Sequence, residues 1–253
     1  MNNPLIGNSD IYLKNISIDN VIFGYHEKEL KVLLQKPQNF LKWMLPGGYL
    51  KKTETLKEAA ERIATERTTL KNLFLKQFNS FGSPYRTQDP EFTPKKLGLN
   101  AGVQIEENHW MFDYFVSICF YTLTDFEEVT PKGTMYAEEC TWWAIDKIPP
   151  MLFDHNEIIK SALKSLRLHI YHYPIGYELL GEKFTLPEIR ALYETILGKK
   201  LDSRNFSKKL TSAGIITKLD EKRNIGAHRS PFLYMFNKEN YNEALNNGVA
   251  IIV

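Results

Sequence analysis

Residues 46–70 read Pro46-Gly47-Gly48-Tyr49-Leu50-Lys51-Lys52-Thr53-Glu54-Thr55-Leu56-Lys57-Glu58-Ala59-Ala60-Glu61-Arg62-Ile63-Ala64-Thr65-Glu66-Arg67-Thr68-Thr69-Leu70. A Pro-Gly-Gly turn leads through a short polar stretch into a helix. Thr55 and Glu58 form a capping-box pair at its start, and Glu54 lies near its positive end. Residues three and four apart share a helix face, so Ile63, Glu66 and Arg67 stand together. That face carries one apolar side chain, one anion and one permanent cation.

The stretch resembles a Nudix box. The family pattern is Gly, five residues, Glu, seven residues, Arg-Glu, an aliphatic residue, any residue, Glu-Glu, any residue, Gly and an aliphatic residue. Gly48, Glu54, Arg62, Ala64, Glu66 and Leu70 fall in register with it. Ile63 and Arg67 stand where two catalytic glutamates belong, and Thr69 replaces the glycine. The lead-in Trp43-Met44-Leu45-Pro46-Gly47-Gly48 resembles the family's strand and turn before the box. A working box gathers Mg²⁺ on carboxylates, and Mg²⁺ requires hard oxygen ligands in near-octahedral geometry. A fixed cation at Arg67 competes with the metal, so neither a metal site nor metal-assisted hydrolysis is expected here, and no cofactor.

The 253 residues accommodate one large or two modest domains. With 43% hydrophobic and 25% charged residues, the composition is that of a soluble globular chain. The net charge of +2 says little about partners. No apolar run is long enough to span a bilayer, and the N-terminus lacks the pattern of a signal peptide. Cys119 and Cys140 are too few for a disulfide framework and are expected as small buried groups. A cytoplasmic location is the expectation.

Residues 21–25 and 30–35 read as strands around a polar turn. Residues 78–86 read as strand then loop, and 87–108 as a long polar loop with Pro90 and Pro94. Residues 110–122 suit a central strand, 142–144 a short one, and a helix runs from about residue 153 to 170. Interleaved strands and helices fit an α/β fold, the α/β/α sandwich of the Nudix type. Tyr173-Pro174-Ile175-Gly176 interrupts the pattern, which places a boundary between domains 1–172 and 173–253.

In the second part, Thr185-Leu186-Pro187-Glu188 is another capping box. Ile189, Leu192, Tyr193, Ile196 and Leu197 follow at helical spacing, with Gly198 as a stop. A short connection leads to a second helix over 203–213, capped by Asp202, with Phe206 and Leu210 facing inward. Strands at 214–219 and 231–236 flank a polar loop. Helix, turn, helix, strand, loop, strand is the order of a small winged helix-turn-helix domain. From Pro174 onward twelve Lys or Arg face nine Asp or Glu, and the excess gathers around the second helix. Arg204 and Asn205, at its N-terminal end, are the candidates to read bases, with Ser203 beside them. Lys199, Lys200, Lys208 and Lys209 are candidates for phosphate contact, as are Arg223, His228 and Arg229 on the wing.

The two halves together resemble the Nudix-related transcriptional regulators, a group that includes NAD-metabolism repressors and the arabinose-responsive regulators of Bacteroidetes. The resemblance is carried by Leu45-Pro46-Gly47-Gly48, Phe153-Asp154-His155, Pro174-Ile175-Gly176, Phe184-Thr185-Leu186, Leu192-Tyr193-Glu194 and Arg204-Asn205-Phe206. It implies a homodimer on a palindromic double-stranded DNA operator. It also implies a small effector, sugar or nucleotide, held in a catalytically silent Nudix domain, with a sugar such as arabinose as the expected choice. The Nudix-like frame puts Gln35, Lys36, Trp43, Arg67 and Arg86 among the effector candidates. Asp113, Tyr114, Asp154 and His155 complete the set, and a ligand pocket of this kind mixes polar groups with aromatic faces. The alternatives are a divergent Mg²⁺-dependent hydrolase of ADP-ribose-like nucleotides, and a protein-interaction module whose apolar tail, 248–253, pairs across a dimer.

Overall fold

A computed structural model of the chain describes residues 9–68, 73–126, 137–177, 179–224 and 230–249. Thr69 and Leu70 of the box, the wing candidates His228 and Arg229, and the last four residues of the tail lie outside them. The chain divides into two units. The first comprises residues 1–24 and 31–162; the second comprises 25–30 and 163–253. This division differs from a break near residue 173, because it gives the second half of the preceding helix to the second unit.

The sheet of the Nudix part has six strands in the order β4-β5-β1-β2-β6, with β3 paired to β1. These are β1 (Tyr12–His26), β2 (Glu29–Pro37), β3 (Gly47–Lys51), β4 (Lys76–Phe81), β5 (Val116–Asp125) and β6 (Ala137–Ala144). β1 is much longer than the run at 21–25. Its first half mixes polar and apolar residues and is largely exposed or half exposed, so hydrophobic pattern alone does not reveal it. Glu27 and Lys28 both adopt positive φ in the two-residue turn to β2, the conformation of a tight hairpin. Ile18, Val21, Ile22 and Phe23 are fully buried, so both faces of β1 are covered.

Helix α1 (Leu56–Thr68) covers one face of this sheet. Its Ala59, Ala60, Ile63 and Ala64 pack on Ile18, Ile22, Leu33, Leu50 and Phe120. The capping box forms: Glu58 N donates to Thr55 Oγ1 and Thr55 N to Glu58. The stretch 87–108 contains a helix, α2 (Pro94–Ala101), where a loop is expected. Its signals are local: Thr93 caps it, Pro94 fills its first position, and Gly102 ends it in the left-handed conformation. Leu97 and Ile105 hold this segment on Tyr12, Phe40, Trp110 and Phe115. Helix α3 (His155–His169) follows, with Ile158, Ile159 and Ala162 buried.

The second unit has α4 (Leu186–Leu197), α5 (Ser203–Ser212) and a three-stranded sheet in the order β7-β9-β8. The strands are β7 (Phe184–Thr185), β8 (Ile216–Lys222) and β9 (Phe232–Phe236), and a further helix, α6 (Lys238–Asn247), closes the unit. Tyr193 is wholly buried, its ring lies tilted against Phe206 at 5.0 Å between centroids, and its hydroxyl accepts from Ile175 N at 3.1 Å. Asn240 Nδ2 donates to Gly214 O at 2.9 Å, and a Cβ at Gly214 would lie 2.6 Å from that nitrogen, so the turn after α5 needs glycine.

Candidate effector site and nucleic-acid interface

The box keeps its shape through Arg62. Arg62 Nε and Nη2 donate to the two oxygens of Glu54 at 2.9 and 2.6 Å, and Nη2 also donates to Tyr49 O at 3.0 Å. Glu54 accepts in turn from Lys51 N at 2.8 Å. Burial alone would raise the Glu54 pKa; the Arg62 and Lys51 donors outweigh it and hold the carboxyl below its usual range. Ile63 is 1% exposed and packs in the core. Glu66 is exposed and lies 3.5 Å from Arg62. Arg67 is half-buried, its Nε has no hydrogen-bond partner among the described residues, and burial pushes its pKa down.

Three of the effector candidates come together across the first unit. Arg86 Nε and Nη2 donate to both oxygens of Asp154 at 2.8 and 2.7 Å, and His155 is the next residue. His155 Nδ1 accepts from Leu45 N at 3.0 Å. Burial lowers the His155 pKa, and the pull of Asp19 opposes that. Two members of this cluster, Asp19 and Ser117, are not among the sequence candidates; Ser117 Oγ donates to Asp19 Oδ2. Arg86 Nη2 lies 3.9 Å from Asp19 and His155 Nε2 lies 3.7 Å from it. The signal for Asp19 was a carboxylate inside an apolar strand, between Ile18 and Val21. Asp154 binds Arg86 with its side chain and serves α3 through its backbone carbonyl, which accepts from Glu157 and Ile158.

The remaining candidates lie apart from this cluster or serve the frame. Gln35 is buried and its Nε2 donates to Leu45 O at 3.3 Å, so Gln35 and His155 both hold the Leu45 backbone. Trp43 is buried edge-on against Trp143 at 5.2 Å, which makes it packing. Lys36 pairs with Glu139 at 3.4 Å. Asp113 is exposed, and the Tyr114 hydroxyl donates to Gly82 O at 2.6 Å. Cys119 is buried as expected, whereas Cys140 is only partly so, because it lies on β6, whose described residues are half-covered or exposed.

In the second unit, Asp202 caps α5 by accepting from Asn205 N at 2.8 Å. Phe206 and Leu210 are buried, which turns Ser203, Arg204, Asn205 and Lys208 to solvent. A surface depression of about 380 Å³ is lined by Asn205, Lys208, Lys209, Ser212 and Ala213. Lys199 is exposed, and Lys200 pairs with Glu194 at 3.1 Å. Arg223 is committed elsewhere. Its guanidinium donates to Glu188, the capping-box carboxylate of α4, and to Lys183 O at 2.9 Å. On the wing strands, Lys218 and Lys222 instead lie over the Phe232 ring at 3.5 and 4.8 Å.

An α/β Nudix sandwich joined to a winged helix defines a two-part protein with a DNA-binding module. The chain belongs to the Nudix family: the NUDIX domain model matches residues 14–165, and the model of the NrtR DNA-binding winged helix domain matches residues 176–236. The ADPR responsive transcriptional repressor NtrR of Acinetobacter baylyi is 24% identical over 233 residues, covering 89% of this chain and 83% of that one. Shewanella oneidensis NrtR, solved in complex with a 27mer DNA, has a TM-score of 0.70 at 22% identity, covering 95% of this chain and all of that one. A MutT/nudix family protein from Enterococcus faecalis has a TM-score of 0.63 at 20% identity, covering 89% and 87% of the two chains. Among the described residues no group of His, Cys, Asp and Glu side chains is placed to hold a metal ion, and no helix is long and apolar enough to cross a membrane.

Proposed function

We propose that this chain is a cytoplasmic transcriptional repressor in which a Nudix unit without hydrolase activity binds a small effector and thereby alters the grip of the winged helix on its operator. The observation that carries this reading is the pairing of two features. At the two positions of the box where the family has catalytic glutamates, Ile63 is buried in the core and Arg67 is half-buried, and α5 presents Arg204, Asn205 and Lys208 to solvent. The first argues against metal-assisted chemistry, and the second is the footprint of a helix that enters the major groove. The naming of the Acinetobacter relative as a repressor supports the direction of control.

On this reading Arg204 and Asn205 contact base edges. Ser203, Lys199, Lys200, Lys208 and Lys209 contact phosphates, as does the wing. A homodimer on a palindromic operator is part of the same reading. The effector is a sugar-bearing metabolite held around Arg86, Asp154 and His155, with a free sugar such as arabinose as the first candidate. ADP-ribose is the second, favoured by the name of the Acinetobacter relative and by the Nε of Arg67, which has no partner among the described residues and suits an anionic ligand.

Thermal melting with free pentoses, sugar phosphates, ADP-ribose and NAD, with and without Mg²⁺, tests it. A ligand that binds the folded state raises the melting temperature by mass action. Turnover of ADP-ribose with Mg²⁺, abolished in Glu66→Gln, would overturn the regulator reading in favour of a hydrolase.

A further inference from the structure

β8 and β9 pair with Lys218 opposite Tyr234 and Lys222 opposite Phe232, so four steps along β8 answer two along β9. The extra residues of β8 form a bulge between the two lysines, and a bulge re-aims the side chains of its strand. Regular pairing would carry Lys222 two residues past Phe232. The bulge brings it back, and both lysines meet one ring. Lys218 Nζ lies 3.5 Å and Lys222 Nζ 4.8 Å from the centroid of the half-buried Phe232. Lys218 reaches the ring diagonally from beside Tyr234, and Lys222 from directly across the ladder.

A ring face attracts an ammonium group but leaves its charge in place. It also covers one side only, so N–H donors of each lysine remain for an anion. Both lysines are exposed, and neither has a carboxylate at ion-pair distance among the described residues. Neighbouring cations are already committed. Lys183 Nζ donates to the two oxygens of Glu221 at 2.8 and 2.7 Å, and the Arg223 guanidinium serves Glu188 and Lys183 O.

Two like charges held over one ring repel each other, and a polyanion relieves that repulsion while releasing its own counterions. The pair is also continuous with α5. Ile215 N donates to Leu210 O at 3.3 Å, which fastens the chain entering β8 to the end of α5. The two lysines are thus joined to the helix of Arg204, Asn205 and Lys208 by packed backbone.

We propose that Lys218 and Lys222 are contacts of the wing to the phosphate backbone of duplex DNA, and that Phe232 is a positioning residue that orders both. The ring holds the two ammonium groups before DNA arrives, so less side-chain freedom is lost on binding. Phosphate contacts carry no sequence information, so this pair adds affinity and register without choosing bases. The proposal rests on the DNA-binding reading above.

Fluorescence anisotropy of the full chain with a promoter duplex and a shuffled duplex of the same length, each across a salt series, tests it. Lys218→Ala and Lys222→Ala are each expected to weaken both duplexes alike and to lower the slope of log affinity against log salt by about one. Phe232→Leu is expected to weaken both about two- to fivefold with the slope kept, because the charges remain and only their ordering is lost. Phe232→Tyr keeps a ring and is expected to bind like the unaltered chain. Melting temperature checks each fold. Slopes unchanged in both lysine variants overturn the proposal, and a folded Phe232→Leu that binds like the unaltered chain overturns the role of the ring. Should Phe232→Leu misfold, the ε-methylene protons of Lys218 and Lys222 in the unaltered protein decide that role by NMR. Upfield ring-current shifts support it, and random-coil values overturn it. If the lysine slopes are unchanged while Arg204→Ala still weakens the promoter duplex, the proposal falls and the DNA-binding reading stands. Failure of the unaltered chain to bind either duplex at about 50 mM salt overturns both.

Discussion

Arg62 clamps both oxygens of Glu54 and, with the same guanidinium, the carbonyl of Tyr49. Two charged members of the Nudix pattern are thereby tied to each other and to the strand before the helix. Their role in this chain is to hold the loop between β3 and α1, and hydrogen bonds to charged groups at 24% and 12% side-chain exposure contribute substantially.

Arg62→Ala is therefore expected to lower unfolding free energy by about 2 kcal/mol, in the range for charge-assisted hydrogen bonds. Urea unfolding followed by circular dichroism measures it. A change within error would show the clamp to be dispensable.

Restoring a carboxylate at position 63 is expected to fail. Ile63 is 1% exposed, its side chain lies about Gly48, and a Cβ at Gly48 would meet its Cδ1 at 3.0 Å. Ile63→Glu places an unpaired carboxyl in an apolar core and is expected to cost roughly 3 kcal/mol or more. No Mg²⁺-dependent cleavage of ADP-ribose should appear in this variant, as measured by chromatography of the products.

On DNA, Arg204→Ala and Asn205→Ala are each expected to weaken operator binding by about 1–3 kcal/mol and to relax its sequence preference. Lys208→Ala should weaken all sequences alike and reduce the salt slope by about one. Arg223→Ala should act on folding, because its guanidinium already serves Glu188 and Lys183 O. Fluorescence anisotropy with duplex DNA from the promoter region beside the gene, repeated across salt concentrations, separates these cases. Loss of DNA binding in Arg223→Ala without loss of stability would reverse its assignment.

His155 predicts an acid limit to stability. It is 2% exposed, and burial depresses its pKa below the ordinary 6.5, against the pull of Asp19 and Asp154 and with the push of Arg86. The unfolded chain therefore binds a proton at this site more readily than the folded one. Its contribution to stability is whole above about pH 6.5 and declines as pH falls from there toward the folded-state value. His155→Gln should flatten that decline in melting temperature between pH 7 and pH 5.

Much of this architecture is legible along the chain because its cues are local. The capping pairs Thr55–Glu58 and Thr185–Glu188, the cap Asp202, the stop Gly198 and the inward pair Phe206–Leu210 all act within one or two helical turns. The helix at Pro94–Ala101 carried equally local cues in Thr93, Pro94 and Gly102, and its polar surroundings masked them. The first half of β1 carried none, since its residues are half exposed and stay in the strand through pairing with β3.

The candidate site divides along the same line. Helix periodicity alone puts Ile63, Glu66 and Arg67 on one face, and alternation of buried and exposed positions alone turns Arg204 and Lys208 outward. No local rule joins Asp19 to Ser117, or Arg86 to Asp154, across 98 and 68 residues of chain. Those meetings depend on which strands neighbour one another in the sheet and on where α3 begins. Only the packed structure sets these, because burying a charge is tolerable only where distant partners arrive to share it.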